Sequence, residues 1–435
     1  MLGTFAKAFR TPDLRRKLLF TIGIMVLFRL GSAIPTPGVD PAAIKELQGQ
    51  ASGQTSDLLG MINLFSGGGL LQLSVFALGI MPYITASIIV QLLRVVIPRF
   101  EVLHKEGQSG QTKLTQYTRY LTIALAILQS TVVITTARTG ALFGSPGSDV
   151  QVIDPDTPWT VTLMIIVMTA GTGVIMWLGE LITEKGVGNG MSLLIFTSIV
   201  AGFPGSMGQI IGSRNGWTNF AVVLVVFVGV IGAIVFVEQS QRRIRVQYAK
   251  RMVGGRTLGG GTNYIPIKIN TAGVIPIIFS SSILSLPMMF TQFSQDQSHP
   301  VVVWIATNFR STDAVYMLLY AALTIFFCFF YTAITFNPTD VAENMMKYGG
   351  FIPGIRAGRP TAEYLNYVIN RITTPGSIYL AVVALVPQVL FSLLGITQNL
   401  PFGGTTLLII VGVGLDTVKQ IEAQLEQRHY GGFLR

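Results

Sequence analysis

Ten apolar stretches divide the chain, and polar segments separate them. A helix that crosses a bilayer needs about 20 mostly apolar residues, and each stretch is close to that length. The pattern therefore predicts an all-α polytopic membrane protein with ten transmembrane helices, whose boundaries are soft by several residues. The predicted spans are 18–34, 72–96, 116–137, 158–182, 190–211, 219–239, 271–292, 315–336, 375–395 and 404–423.

The second stretch carries residues for which a plain membrane anchor has no use, including Gly79, Pro82 and Gln91. Residues 58–71 lie just before it and form an apolar segment that is too short to span a bilayer and is interrupted by the glycines at 67–69. We interpret this segment as a short re-entrant piece. Bent backbone is tolerated at membrane depth only where protein covers it or where it lines a watery cavity. The sequence therefore predicts a cavity with this segment on its wall.

An internal repeat connects the second and seventh spans. Residues 78–87, LGIMPYITAS, align with residues 272–281, AGVIPIIFSS, and both contain the pattern G-x-x-P. The two spans have opposite predicted direction, so the repeat indicates two inverted five-helix halves, residues 1–212 and 213–435. Inverted repeats place the functional site at their interface, near the bilayer midplane. Chance similarity between apolar segments is the alternative explanation.

Composition and charge fix the class and the orientation. Half of the residues are hydrophobic and only 11% are charged, which excludes a soluble protein of 435 residues. One face receives four basic and eight acidic residues, whereas the face with both termini receives 25 basic and 12 acidic residues. By the positive-inside rule, both termini are predicted to be cytoplasmic.

Two predicted cytoplasmic loops, 238–270 and 337–374, are too long to be simple connections. In the first loop, basic and apolar residues alternate in a way typical of a short β-ribbon with a basic face. The second loop has a Gly/Pro turn followed by an amphipathic helix. Their cations suit either anionic lipid headgroups or a partner that carries phosphates or carboxylates, such as RNA. The long reach of these loops favours a partner.

Catalytic and metal-binding patterns are missing from the sequence. It contains no zinc-protease, serine-hydrolase or P-loop motif, one cysteine, Cys328, and three widely separated histidines. Ionisable groups within the spans are few: Arg29, Arg119, Glu180 and Asp416. We therefore expect no enzyme activity, no cofactor and no metal.

Isoleucines occupy the predicted midplane of three spans, at Ile80, Ile84, Ile195 and Ile278. A narrow apolar constriction resists wetting and selects no particular ion. Each isoleucine taken alone is equally compatible with ordinary helix packing. A secondary transporter of a small solute shares the inverted repeat and stays open as an alternative, although it would need charged residues near the midplane.

Several segments resemble the SecY family, whose members form the channel of the Sec protein-translocation complex. Residues 74–93 resemble its first signature and residues 177–194, WLGELITEKGVGNGMSLL, resemble its second. Further similar segments follow in the expected order. They are QRRIRVQYAKR at 241–251, NTAGVIPIIFSSSI at 270–283, FIPGIRAG at 351–358 and FGGTTLLII at 402–410.

The resemblance implies a clamshell of two five-helix halves around a central pore, closed from outside by a short plug helix within residues 58–70. It places an aliphatic pore ring at Ile80, Ile84, Met191, Ile195, Ile278 and Ile409. It places the plug at Leu59, Met61, Ile62, Leu64, Phe65, Gly67 and Gly68. A lateral gate between spans two and three on one half and seven and eight on the other would use Thr85, Gln91, Ser281 and Ser282.

The resemblance also implies partners. It predicts the membrane subunits SecE and SecG, the SecA motor ATPase, the ribosome with its RNA, signal sequences and unfolded polypeptides, all at the bacterial cytoplasmic membrane. Arg356 matches the arginine associated with SecA-driven transport. The docking residues for ribosome and motor would be Arg242, Arg243, Lys250, Arg251, Arg256 and Arg356. The expected function is a channel that passes secretory chains across the membrane and releases membrane segments sideways into lipid.

Overall fold

The structure is a computed structural model in which long helices follow the predicted spans. It describes residues 9–44, 66–138, 142, 152–153, 157–211, 216–248, 251–253, 256–258, 262–293, 300, 303–305, 313–393 and 404–432. Within these residues, each of the ten predicted spans overlaps one helix. These helices are α1 (Pro12–Ala33), α2 (Met81–Val96), α4 (Gln108–Arg138), α5 (Pro158–Lys185), α6 (Gly190–Ile211), α7 (Gly216–Gln239), α8 (Ile275–Phe293), α9 (Ala314–Thr335), α11 (Arg359–Leu393) and α12 (Gly404–Gly432).

Within the described part of the chain, six helices are long and apolar enough to cross a bilayer. The number is seven if α2 and the following helix α3 (Pro98–Lys105) are counted together as one broken span, with a bend of 105° between them. The all-α membrane fold is thus confirmed, while the count of ten spans stays a prediction.

The second span begins later than the sequence predicts. Its first nine residues, 72–80, form turns and one isolated bridge, from Ser74 to Pro35, and helix α2 starts only at Met81. Positive φ angles at Leu73 (44°) and Gly79 (56°) keep this segment out of the helix. Backbone hydrogen bonds from the Val75 N–H to the Ile34 carbonyl (2.9 Å) and from the Thr36 N–H to the Leu73 carbonyl (3.0 Å) hold it against the end of α1.

The G-x-x-P repeat has the same local structure in both copies. Gly79 and Gly273 have φ angles of 56° and 63°, which favour glycine. Pro82 and Pro276 each occupy the second position of the helix that follows. Proline suits a first helical turn because its missing N–H would have no intrahelical partner there. The pattern thus produces a turn and a helix start twice.

The two long polar loops form one compact unit. Strands β1 (Gln241–Tyr248) and β4 (Thr262–Lys268) pair antiparallel, from Gln241 opposite Lys268 to Gln247 opposite Thr262. The strands β2 (Arg251–Val253) and β3 (Arg256–Leu258) pair beyond them. From the second loop, α10 (Pro338–Lys347) leads to β5 (Gly350–Phe351), which pairs with β1. The predicted ribbon is therefore present, and we call β1 and β4 the basic ribbon.

Apolar side chains hold this unit together and connect it to the spans. Ile244, Val246 and Ile267 of the basic ribbon pack with Leu365 and Val368 of α11. The predicted amphipathic helix is the first part of α11, which continues without interruption into the predicted ninth span. The basic ribbon therefore packs against the first part of a helix that continues as a predicted transmembrane span.

Candidate polypeptide pore and its seam

The six predicted ring residues belong to one apolar cluster. Ile80 lies in the turn before α2, Ile84 on α2, Met191 and Ile195 on α6, Ile278 on α8, and Ile409 on α12. Ile80 and Ile409 are each only 1% exposed, and Ile84 and Met191 are half-buried against the same cluster. We call these six side chains the apolar ring. That a polypeptide passes through it stays a prediction.

Helix geometry explains how the ring is assembled. Met191 and Ile195 are four residues apart on α6 and so lie on one face of that helix. Ile80 precedes the first residue of α2 but already has helical backbone angles, and the Ile84 N–H donates to its carbonyl (3.1 Å), so Ile80 and Ile84 share a face in the same way. Ile278 and Ile409 come from the second half of the chain, whereas the other four come from the first. The cluster therefore crosses the boundary between residues 1–212 and 213–435, which we call the seam.

Two aromatic residues of the cluster were missed by the sequence analysis. Phe28 of α1 is fully buried, and its ring stacks on Phe76 with centroids 6.0 Å apart. The spacing in the sequence was the available signal, because Ile24 and Phe28 are four residues apart and so share one face of α1. The structure shows that both are buried. Phe76 lies in the turn segment, for which helical periodicity gives no guide.

Met191 packs into space that a glycine leaves open. A methyl group added at Gly179 of α5 would lie 2.6 Å from the Met191 sulfur. One added at Gly190 would lie 1.8 Å from the carbonyl oxygen of Gly179. The α5 and α6 backbones therefore approach closely here, as small residues permit between membrane helices. This glycine pair holds one side of the apolar ring in place.

Only the end of the predicted plug lies within the described residues. Leu59, Met61, Ile62, Leu64 and Phe65 fall outside them, and Gly67 and Gly68 fall inside. The Arg29 guanidinium of α1 donates a hydrogen bond to the Gly67 carbonyl. An added methyl at Gly67 would lie 3.6 Å from Ser198 Cα of α6. The end of the predicted plug thus contacts both α1 and α6.

The predicted gate hydroxyls bond within their own helices. Thr85 Oγ1 donates to the Met81 carbonyl (3.0 Å), and Ser281 Oγ donates to the Ile278 carbonyl (2.9 Å). Gln91 and Ser282 are half-buried. A hydrogen bond that does cross the seam comes from Arg94, which sequence analysis did not select. Its Nη2 donates to the Ile334 carbonyl of α9 at 3.5 Å.

The predicted docking residues that the structure describes lie on β1, β2 and β3 and in one turn. Arg242 and Arg243 are exposed on β1, opposite Ile267 and Pro266. Lys250 falls outside the described residues. Arg251 and Arg256 lie in β2 and β3, where only the backbone is described.

The exposed Arg356 occupies a turn framed by Gly354 (φ 86°) and Gly358 (φ 100°). Thr361 Oγ1 donates to the carbonyl of Arg356 at 2.8 Å, so this turn is fixed to the start of α11. The Arg356 side chain stays exposed.

Two of the ionisable residues predicted within the spans, Arg119 and Glu180, pair with each other. Arg119 of α4 donates to both carboxylate oxygens of Glu180 on α5, at 2.9 and 2.7 Å, and also to Gln116 at 3.1 Å. Such a two-point pair satisfies both groups. Across the described ranges, no group of three His, Cys, Asp or Glu side chains could hold a metal ion.

These features define a helical membrane protein in which one apolar cluster joins helices from both halves of the chain. The family model of SecY matches residues 74–418. Proteins named "Protein translocase subunit SecY" from Streptomyces coelicolor and Micrococcus luteus are 59% and 54% identical, over the whole of both chains. The chain belongs to the SecY family.

Solved structures show the same fold at low sequence identity. One described as "The structure of a protein conducting channel" has a TM-score of 0.62 at 17% identity, and covers 94% of this chain and 91% of that one. Sec61 in the canine ribosome-channel complex gives 0.59 at 17% identity, with the same coverage. The ribosome-bound yeast Ssh1 complex gives 0.62 at 15%, covering 93% and 89%. The transporter alternative is not favoured, and the chain is a protein-conducting channel subunit.

Proposed function

We propose that unfolded secretory polypeptides pass through the apolar ring, and that apolar segments leave sideways through the seam into lipid. The observation that carries the proposal is that ring positions from both halves pack into one buried cluster. A passage lined by side chains of one half alone would have no such seam to open.

The chemistry of the ring suits an extended chain of any sequence. Isoleucine and methionine side chains bring no polar atoms that must be satisfied when the pore is closed. A constriction lined by them resists wetting, so ions are excluded without a specific binding site. Because the ring makes no hydrogen bonds to its cargo, it also holds no particular side chain as the cargo moves.

Opening of the seam toward lipid is physically reasonable. Lipid tails are as apolar as leucine, so no hydrophobic driving force holds two apolar helices together in the membrane. A signal sequence is itself an apolar helix and can replace the contacts that α2 loses when it separates from α8 and α9. The predicted plug would close the outer side, with the Arg29 contact to Gly67 holding its end in the resting channel.

Energy for transport must come from outside, because the sequence has no nucleotide-binding motif. We assign the docking surface for a ribosome or a SecA-type motor to Arg242 and Arg243 of the basic ribbon and to Arg356, all of them exposed. Two neighbours of the same fold are described in complexes with ribosomes. Clustered arginines suit ribosomal RNA because each can contact phosphates.

The proposed setting is the bacterial cytoplasmic membrane, with both termini in the cytoplasm and SecE and SecG as membrane partners. The relatives are bacterial, and the distribution of positive charge supports this orientation. The Lys and Arg residues of the basic ribbon then face the side on which ribosomes are found.

Site-specific photocrosslinking tests the path. A photoreactive residue replaces Ile84, Ile278 or Ile409, and a control replaces Val225 of α7, which is 71% exposed on the outer surface of the bundle. A secretory chain is stalled in transit in membranes. Crosslinks from the three ring positions and none from Val225 are expected. Equal labelling at all four positions, or none at any, would refute the assignment of the ring as the path.

A further inference from the structure

Arg94 connects the two halves at one end of the proposed lateral opening. It lies in the last turn of α2 and is half-buried. Its Nη2 reaches the Ile334 carbonyl, 240 residues away, near the end of α9. By the proposed topology, α2 and α9 are the second and eighth spans, and this contact lies at their cytoplasmic ends.

The carbonyl of Ile334 needs a donor from outside its own helix. The last four carbonyls of a helix have no intrahelical partner. Here the chain leaves the helix at Phe336 (φ −115°, ψ 109°), and the residue four positions after Ile334 is Pro338, which has no N–H. A cation is also favoured at this point, because the helix dipole leaves partial negative charge at the C-terminus.

The neighbouring helix α3 helps to position the guanidinium. Arg94 Nη1 lies 3.3 Å from His104 Nδ1. A guanidinium can only donate, so Nδ1 of His104 is the acceptor and its imidazole is neutral. The bend of 105° between α2 and α3 brings His104 back to Arg94. One terminal nitrogen therefore bonds within the first half while the other bonds across the seam.

We propose that Arg94 is a specificity-determining residue that acts through the Ile334 carbonyl and sets how apolar a signal sequence must be to open the seam. This inference rests on the proposed function. A signal helix that enters between α2 and α9 must break the bond to Ile334, and only a sufficiently apolar segment gains enough from lipid to do so. Loss of the bond lowers this threshold, so weaker signal sequences are accepted.

The test compares export of two reporters in cells that depend on each variant. One reporter has an intact signal sequence, and the other has the same signal with its apolar core shortened by three leucines. The measured quantity is the ratio of exported weak reporter to exported intact reporter. Arg94→Met removes the charge and the donor but keeps the length, and we expect it to raise the ratio about fivefold, equivalent to about 1 kcal/mol.

Two further variants separate this role from a merely structural one. Arg94→Lys keeps a cation that can donate to a carbonyl, and it is expected to leave the ratio within twofold of the original protein. Arg99→Met removes an exposed arginine of α3 and is the matched control, with no change expected. A structural defect would lower export of both reporters together and would not be rescued by lysine.

Failure of the inference about Arg94 and failure of the proposed function give different results in this test. If the unmodified chain does not support export of the intact reporter, the proposed function fails. If it does, and Arg94→Met leaves the ratio unchanged or lowers both reporters in parallel, the inference about Arg94 is overturned. Should Arg94→Met not accumulate in the membrane, Arg94→Gln replaces it and is judged by the same two criteria.

Discussion

Gly179 shows how a residue outside the apolar ring controls it. The resemblance to the SecY family leads one to expect a branched aliphatic side chain where Met191 stands. The flexible thioether can fill an irregular gap that a branched chain would leave. Here the gap lies over Gly179, whose missing side chain provides the space.

Gly190→Ala should destabilise the protein. The added methyl would lie 1.8 Å from the carbonyl oxygen of Gly179, and a backbone atom cannot swing aside as the Met191 thioether can. Such overpacking costs about 1–3 kcal/mol. Thermal unfolding in detergent measures the change. Gly173→Ala on α5 is the control, since its methyl would lie 3.8 Å from Ile123 Cδ1, an ordinary contact. Equal unfolding temperatures for the two variants would contradict this account.

Ile409→Asn should relax the selection of signal sequences. Ile409 is 1% exposed in the cluster, and a buried amide without partners costs about 1–3 kcal/mol. The closed state is therefore destabilised relative to an open one in which water reaches the ring. Export of a reporter with a defective signal sequence measures the effect, with Ile409→Val as the apolar control. No gain in export relative to Ile409→Val would count against the ring as a seal.

The residues of the ring could be predicted from the sequence, whereas the hydrogen bond across the seam could not. The ring positions lie within short motifs, and the G-x-x-P pattern identifies two of its segments. The bond from Arg94 to Ile334 joins positions 240 residues apart, and its acceptor is a backbone carbonyl. Nothing in side-chain identity marks a carbonyl as available, so only the three-dimensional arrangement shows it.

At the scale of elements, the corner between α2 and α3 depends on one neutral histidine. Helix α3 carries Arg99, Glu101, His104 and Lys105 among its eight residues, so we place it outside the apolar part of the bilayer. Burial, and then the neighbouring Arg94 cation, lower the pKa of His104 from its ordinary value of 6.5. The folded protein therefore favours the neutral imidazole.

Acidification should loosen this corner. Because the folded-state pKa lies below 6.5, the contribution of His104 is fully present above that pH and is lost as the pH falls below it. Protonated His104 cannot accept from Arg94 and repels it. Hydrogen exchange of α3, corrected for the intrinsic rate, should increase between pH 7.5 and 5.5. His104→Gln should abolish the pH dependence. An identical pH response in that variant would show that another group is responsible.

The spanning helices were predicted from the length of their apolar stretches. This prediction succeeded where an uninterrupted apolar stretch is enough to define a helix. The start of α2 differed because Gly79 and Pro82 delay the helix to Met81, while the preceding turns find hydrogen-bond partners on the chain that follows α1. The continuity of α11 was also unforeseen. Pro375 lies inside it, and a proline is usually taken as a boundary, yet the helix runs from Arg359 to Leu393.

At the scale of the whole molecule, charge separates the proposed docking surface from the apolar surface of the spans. The net charge of +10 is concentrated on the predicted cytoplasmic side. On the basic ribbon, Ile244 and Val246 face the core while the arginines stay exposed. The alternation of apolar and basic residues along β1 predicts which side chains face the core and which stay exposed. The cytoplasmic position of the ribbon stays a prediction.

Joint replacement of Arg242 and Arg243 by alanine should weaken ribosome binding and reduce its dependence on salt. Each arginine that contacts a phosphate contributes about one unit to the slope of log affinity against log salt. Binding of detergent-solubilised channel to ribosomes, measured over a range of salt concentrations, gives that slope. Lys113→Ala, an exposed cation at the start of α4, is the control. A weaker affinity with an unchanged slope would argue against phosphate contacts.

The hydrogen bond from Arg29 to Gly67 has an evolutionary consequence. Its acceptor is a main-chain carbonyl, a group that every amino acid possesses. The contact therefore imposes no demand on the side chains that precede Gly67, and mutations among them leave the attachment point intact. The sequence of the predicted plug is therefore free to vary as far as this contact is concerned, whereas replacement of Arg29 would remove the donor.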